Sequence, residues 1–131
     1  MVKRTILHVE DDAQVSATVA DLLGEEGYRV ISAFNAEDGL RKLTRARPDL
    51  LLLDLHLPGM SGLAILKQIR SDNGDARVPI LILTALMRVV DDEIRSQVDG
   101  VLMKPVDPDE LVGEIDRILG ERNGDGGATE P

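Results

Sequence analysis

Leu50-Leu51-Leu52-Leu53-Asp54 is the stretch that decides the fold. Four consecutive apolar residues read as a strand covered on both faces, the kind found inside a parallel sheet. The run ends in a carboxylate, and a charge beside an apolar core is costly unless something pairs with it. The same figure recurs on either side. Upstream, Ile6-Leu7-His8-Val9 ends in Glu10-Asp11-Asp12. Downstream, Ile80-Leu81-Ile82-Leu83 ends in Thr84, and Val101-Leu102-Met103 ends in Lys104-Pro105. Acids, a hydroxyl and an ammonium thus stand at the ends of four strand-like runs, and in open α/β sheets that edge is where ligands bind.

Helix-like stretches separate these runs. Thr5 to Val9 leads into Val15, Val19, Leu22 and Leu23 at helical spacing, and Gly27 stops that helix. Tyr28 to Ala33 reads as the second strand, and Asn35 is placed to cap a helix carrying Ala36, Leu40 and Leu43 on one face. Pro48-Asp49 turns the chain into the leucine strand. After Asp54, Leu57-Pro58-Gly59-Met60-Ser61-Gly62 reads as a turn, with Ser61 as N-cap of the helix holding Ile65, Leu66 and Ile69. Asn73-Gly74 marks the next turn, and Pro79 opens the fourth strand, where a missing N–H is tolerated. Residues 86–98 carry the weakest pattern, with Val90, Ile94 and Val98 at four-residue spacing. A short fifth strand, Gly100 to Met103, precedes Asp107, which caps a last helix with Pro108 at its first position and Leu111, Ile115, Ile118 and Leu119 facing inward. Five strands and five helices in strict alternation imply right-handed crossovers and a parallel sheet covered on both sides. The expected domain spans residues 1–120. The stretch 121–131 is Gly-rich, polar and aperiodic, a flexible tail or the start of a linker.

The chain of 131 residues is one domain by length, and its 24 acidic against 15 basic residues leave a net charge of -9. That balance argues against direct contact with nucleic acid, which calls for Lys/Arg clusters, and suits a protein that holds cations or meets a basic partner. With no cysteine, disulfides, thiolate metal sites and cysteine nucleophiles are excluded together. The apolar runs are too short to span a bilayer and no signal peptide opens the chain, so a cytoplasmic protein without membrane contact is expected. Leu, Ile, Val and Ala must build the core, since Tyr28 and Phe34 are the only aromatic residues. Both flank the second strand and are expected to pack in it. Met60 and Met103 read as core fillers.

Three carboxylates gathered at neighbouring strand ends repel one another, so the cluster needs a cation or a raised pKa. Oxygen ligands alone favour a hard divalent ion such as Mg²⁺, which takes one or two carboxylates and binds phosphate oxygens. A carboxylate can itself attack a phosphoryl group and form an aspartyl phosphate. A lysine and a threonine hydroxyl opposite the metal would hold the transferred oxygens. Glu10, Asp11, Asp54, Thr84 and Lys104 supply those parts.

On these motifs, Val9-Glu10-Asp11-Asp12, Asp54 with the turn 57–62, Leu83-Thr84-Ala85 and Lys104-Pro105, the chain resembles a response-regulator receiver domain of two-component signalling over residues 3 to 120 or so. The resemblance implies a flavodoxin-like doubly wound (βα)5 fold, with a five-stranded parallel sheet in the order 2-1-3-4-5. It implies that Asp54 accepts phosphate from the phosphohistidine of a sensor histidine kinase or phosphotransfer protein. Glu10, Asp11, Asp54 and the backbone carbonyl of His56 would hold Mg²⁺, Thr84 would bond the phosphoryl group, and Lys104 would pair with it. Such a domain is a switch acting on a partner or a homodimer, not an enzyme in the ordinary sense, though it can promote its own dephosphorylation. Two departures from the family stand out. Val101 occupies the position three before the lysine where an aromatic rotamer switch is usual, and Thr84 and Lys104 lie 20 positions apart, a trimmed interval. The trimmed segment, Leu86 to Asp99, is the element expected to respond to phosphorylation.

Asp12 falls just past the metal pair, as N-cap of the first helix or a contact to the metal through water. His8 reads as a satisfied core or edge residue. His56, at the mouth of the site, is a modulator of phosphoryl loss or a solvent-facing loop residue. The Lys104-Pro105 bond is expected to be cis, in a turn that aims the ammonium across the sheet edge. A phosphohydrolase resembling the haloacid dehalogenase group would want an acid where His56 stands, together with a cap insertion for which the chain is too short. A flavin carrier would place its phosphate against Glu10-Asp11-Asp12.

Overall fold

The structure, a computed structural model, describes residues 3–57, 59, 61–72 and 78–123. Five strands alternate with helices: β1 (Thr5–Val9), α1 (Ala13–Glu25), β2 (Arg29–Ala33), α2 (Ala36–Ala46), β3 (Leu50–Asp54), α3 (Gly62–Asp72), β4 (Ile80–Thr84), α4 (Asp92–Arg95), β5 (Gly100–Met103) and α5 (Pro108–Asn123). A 3₁₀ turn, Met87–Val89, precedes α4. All neighbouring strands run parallel in the order β2-β1-β3-β4-β5, as the resemblance implied.

Capping residues set most boundaries. Asp12 Oδ1 accepts from Gln14 N at 2.9 Å and Val15 N at 3.1 Å, Asn35 Oδ1 from Asp38 N at 2.7 Å, and Ser61 Oγ from Ala64 N at 3.1 Å. Asp107 Oδ2 accepts from Glu110 N at 3.0 Å at the head of α5. Each bond satisfies an amide that the first helical turn leaves without a partner. At the far end of α1, Gly27 adopts φ +96° while Gly27 N bonds Gly24 O and Tyr28 N bonds Leu23 O, both at 3.0 Å. This Schellman closure uses the Tyr28 amide, which is why β2 starts at Arg29 and not at Tyr28.

Alternating strand residues feed two apolar layers. Leu7, Val9, Leu51, Leu53, Ile80 and Ile82 pack with Ala36, Leu43, Ile65, Leu66, Ile69 and Ile94, from α2, α3 and α4. Ile6, Leu50, Leu52, Leu81, Leu83 and Leu102 pack with Val19 and Leu23 of α1 and with Leu111, Ile115, Ile118 and Leu119 of α5.

Three expectations are corrected. Phe34 is 47% exposed and does not pack in the core, because it lies beyond the last paired residue of β2, at the sheet rim. Met103 is 52% exposed, since β5 is an edge strand with no neighbour beyond it. Tyr28, by contrast, packs against the α1/α5 layer as expected; burial first, and the hydrogen bond from its hydroxyl to the Asp116 carboxylate on α5 second, push its phenol pKa up. The stretch 86–98 is no regular helix. Val90 has φ -92° and ψ 93°, and Asp91 caps a new start by accepting from Ile94 N at 3.0 Å, so a 3₁₀ turn and a four-residue α4 replace one continuous helix. α5 runs to Asn123, past the boundary expected at 120. Pro58, Met60, Asn73-Gly74 and residues 124–131 of the expected tail lie outside the described residues.

Candidate functional site

The parallel register brings the C-terminal ends of β1, β3 and β4 to one edge. His8 and Val9 pair with Leu52 and Leu53, and Asp54 pairs with Leu83. Glu10 is fixed one residue past β1 by its amide, which donates to Ala33 O at 2.9 Å. Leu51 and Leu53 face one layer and Leu50 and Leu52 the other, so Asp54 falls on the α1/α5 face together with Glu10 and Lys104.

There the charges meet. Lys104 Nζ donates to Glu10 Oε1 at 2.7 Å and stands 3.2 Å from Asp54 Oδ2. Asp54 is 2% exposed, and its Oδ1 accepts from His56 N at 3.0 Å. Glu10 Oε2 accepts from Asp12 N at 3.2 Å, while the Asp12 side chain is spent on the α1 cap. Lys104 N bonds Thr84 O at 2.8 Å, and the Lys104–Pro105 peptide is cis, as expected from the sequence. Burial pushes the Glu10 carboxyl up and outweighs the opposing hydrogen bond from Lys104. Burial works against the Lys104 ammonium, but its hydrogen bond to Glu10 and the charge of Asp54 outweigh that, and its pKa is raised. The edge therefore holds a charged lysine among three acids.

One carboxylate oxygen from each of Glu10, Asp11 and Asp54 lies within 4.8 Å of the others. Opposite ligands of an ion with ~2.1 Å bonds are about 4.2 Å apart, so the three acids fit a small hard cation with little adjustment.

The Thr84 hydroxyl and the His56 ring are engaged elsewhere. Thr84 is fully buried, its Oγ1 accepts from Leu86 N at 3.1 Å and donates to Leu86 O at 3.3 Å, and His56 Nε2 is 3.5 Å away. The hydroxyl is thus engaged with the chain that follows β4. His8 was expected to be satisfied and is not: it is fully buried and neither ring nitrogen has a hydrogen-bond partner. Burial, then the Lys104 charge, lowers its pKa to about 4. Two features escaped sequence reading, the Glu10–Lys104 bond across 94 positions and the His8 environment. Only the co-location of Glu10 and Lys104 at strand ends hinted at the first.

A doubly wound parallel sheet with acids and a lysine at its C-terminal edge defines a flavodoxin-like α/β domain whose acid cluster could hold a metal ion. The chain belongs to the response regulator receiver domain family, which matches residues 6–116. It is 38% identical over 125 residues to the DNA-binding response regulator MtrA of Mycobacterium tuberculosis, covering 94% of this chain and 53% of that protein. It is 34% identical to the phosphate regulon transcriptional regulatory protein PhoB of Pseudomonas aeruginosa, covering 100% of this chain and 58% of that one. The chain therefore spans about half the length of these relatives. Among solved structures, a CheY-like receiver domain from Methanospirillum hungatei superposes with TM-score 0.83 at 28% identity, covering 95% of this chain and 100% of that one. The response regulator TrrA of Thermotoga maritima, in complex with Mg²⁺–BeF, superposes with TM-score 0.79 at 32% identity, covering 88% and 98%. The chain is a signalling domain, and among its described residues no helix is long and apolar enough to cross a membrane. The names of MtrA and its kind call them DNA-binding, so the relatives lend no support to the expected absence of nucleic-acid contact.

Proposed function

We propose that Asp54 accepts a phosphoryl group from the phosphohistidine of a sensor histidine kinase or phosphotransfer protein, and that the altered surface regulates a partner or a homodimer in the cytoplasm. The observation that carries this reading is the Asp54 carboxylate, buried at the end of the central strand between Lys104 at 3.2 Å and the acids Glu10 and Asp11. Glu10, Asp11, Asp54 and the His56 carbonyl would hold Mg²⁺, which when bound would supply positive charge opposite the incoming group. In the transfer, an Asp54 oxygen forms the new bond to phosphorus as the donor's N–P bond breaks, and the donor imidazole leaves with its electron pair. The His56 amide orients the carboxylate through Oδ1, which leaves Oδ2 on the Lys104 side. Lys104 is then placed to exchange its Asp54 contact for a phosphoryl oxygen. Thr84 joins only if its hydroxyl leaves Leu86, and that movement would reach the segment leading into α4.

The test is intact mass after incubation with a small phosphodonor and Mg²⁺. The chain should gain one phosphate, and Asp54→Asn should gain none. Chelating the metal should suppress labelling, because three carboxylates would then meet the anion with only Lys104 to offset them. Full labelling of Asp54→Asn would overturn the assignment of the acceptor.

A further inference from the structure

A cleft of about 860 Å³ opens beside the acid cluster, between the start of α3 and the short α4. Its apolar wall is formed by Leu57, Leu63, Val89 and Ile94, and Asp91 stands on its rim. On this side of the sheet the chain supplies only four residues of helix at α4, where an ordinary helix has about 11–12. Gly62 lets the wall close tightly: a Cβ there would meet Leu55 Cδ2 at 2.3 Å, so the first turn of α3 lies directly on the β3 exit. Val89 remains 40% exposed on this wall, with no helical turn laid over it.

The rim charge narrows the occupant. Glu93 is paired with Lys67 at 3.7 Å, whereas Asp91 has no ion-pair partner among the described residues. One Asp91 oxygen accepts the α4 cap bond, and the residue is exposed at the cleft. The chain as a whole carries -9. A partner presenting an apolar strip with one cation beside it matches both features, and a guanidinium suits a carboxylate better than an ammonium does. We propose that this cleft docks an amphipathic helix of a partner protein, lying where further turns of α4 would lie, with its apolar strip on Leu63 and Val89 and an arginine on Asp91. Asp11 and His56 line the inner end of the same cleft, so a helix seated there abuts the acid cluster. Occupancy and events at Asp54 are then linked reciprocally.

The probe is a fluorescently labelled peptide of about 18 residues, helical in isolation, with leucine at i, i+3, i+4 and i+7 and a single arginine flanking the strip. Anisotropy titration with the whole chain should show saturable binding. Asp91→Asn retains the capping ability of the residue while removing its charge, and should weaken binding about tenfold. Val89→Ser, on the exposed wall, should do the same, with far-UV circular dichroism unchanged in both variants. Asp21→Asn, an exposed acid on α1, should have no effect. Absence of saturable binding overturns the proposal, and so does equal weakening by Asp21→Asn, which would show unspecific attraction to an acidic protein. Binding of a free alkylguanidine with no binding of the peptide would assign the cleft to a small ligand and overturn the helix.

Discussion

His8→Leu should make the domain both more stable and less sensitive to acid. His8 sits in β1 between Ser32 and Leu52, fully buried, with neither ring nitrogen partnered. An unpartnered buried polar group costs about 1–3 kcal/mol, so leucine, which fills a similar volume beside Leu52, should add stability of that order at about pH 7.5. The acid effect follows from linkage. The folded-state pKa is depressed, from 6.5 to about 4, by burial first and the Lys104 charge second. The folded state therefore favours the neutral imidazole, and its contribution is complete above the unfolded value and lost as pH falls through the window between the two. At ~1.4 kcal/mol per pKa unit, the loss from His8 reaches about 2 kcal/mol at pH 5 and about 3 kcal/mol below pH 4. Urea denaturation of both proteins at about pH 7.5 and 5, with chelator present, isolates this from the other titrating groups, because only the difference between the proteins is read. The gap should widen by about 2 kcal/mol on acidification. If the two proteins lose stability in parallel, His8 has a partner in solution and the reasoning fails.

Gly24 and Gly39 both lie in helices but predict opposite results. A Cβ at Gly24 meets nothing within 4 Å, so Gly24→Ala should stabilise by roughly 0.5–1 kcal/mol, whereas a Cβ at Gly39 would stand 2.8 Å from Val9 Cγ2, and Gly39→Ala should lose about 1–3 kcal/mol to overpacking less that helical gain. Thermal unfolding of the pair decides it. Leu52→Ala, at the centre of the sheet and fully buried, should cost about 2–5 kcal/mol in a denaturant titration, and a loss under 1 kcal/mol would mean that the layer collapses around the cavity. A phosphoryl mimic at Asp54 should change amide exchange between Thr84 and Val106, since Thr84 Oγ1 is bonded to the Leu86 backbone, while changes confined to residues 10–20 would show that the signal leaves by another face.

Most of the fold was legible because its signals are local. Four-residue apolar runs identify buried strands wherever they occur, and Asp12, Asn35, Ser61 and Asp107 each bond an amide two or three residues away. The alternation of strand and helix then leaves few topologies open, and strand ends that carry acids, a hydroxyl and a lysine mark the edge that matters. The segment 86–98 misled because Val90, Ile94 and Val98 keep helical spacing while Asp91 competes for the backbone as a cap, and periodicity does not say which of the two prevails.

The sequence alone determined the order of elements and the sheet edge at which Glu10, Asp11, Asp54 and Lys104 meet, because each rests on short-range periodicity and turn chemistry. Tertiary structure decided how those residues are partnered. Lys104 lies against Glu10 as well as Asp54, Thr84 turns its hydroxyl to Leu86, and His8 is left without a partner. It also decided that Phe34 and Met103 face outward, since exposure depends on which neighbour strands and helices lack. Hydrogen bonds and burial depend on groups brought within a few ångströms across scores of intervening residues, and no local pattern in the chain encodes that distance.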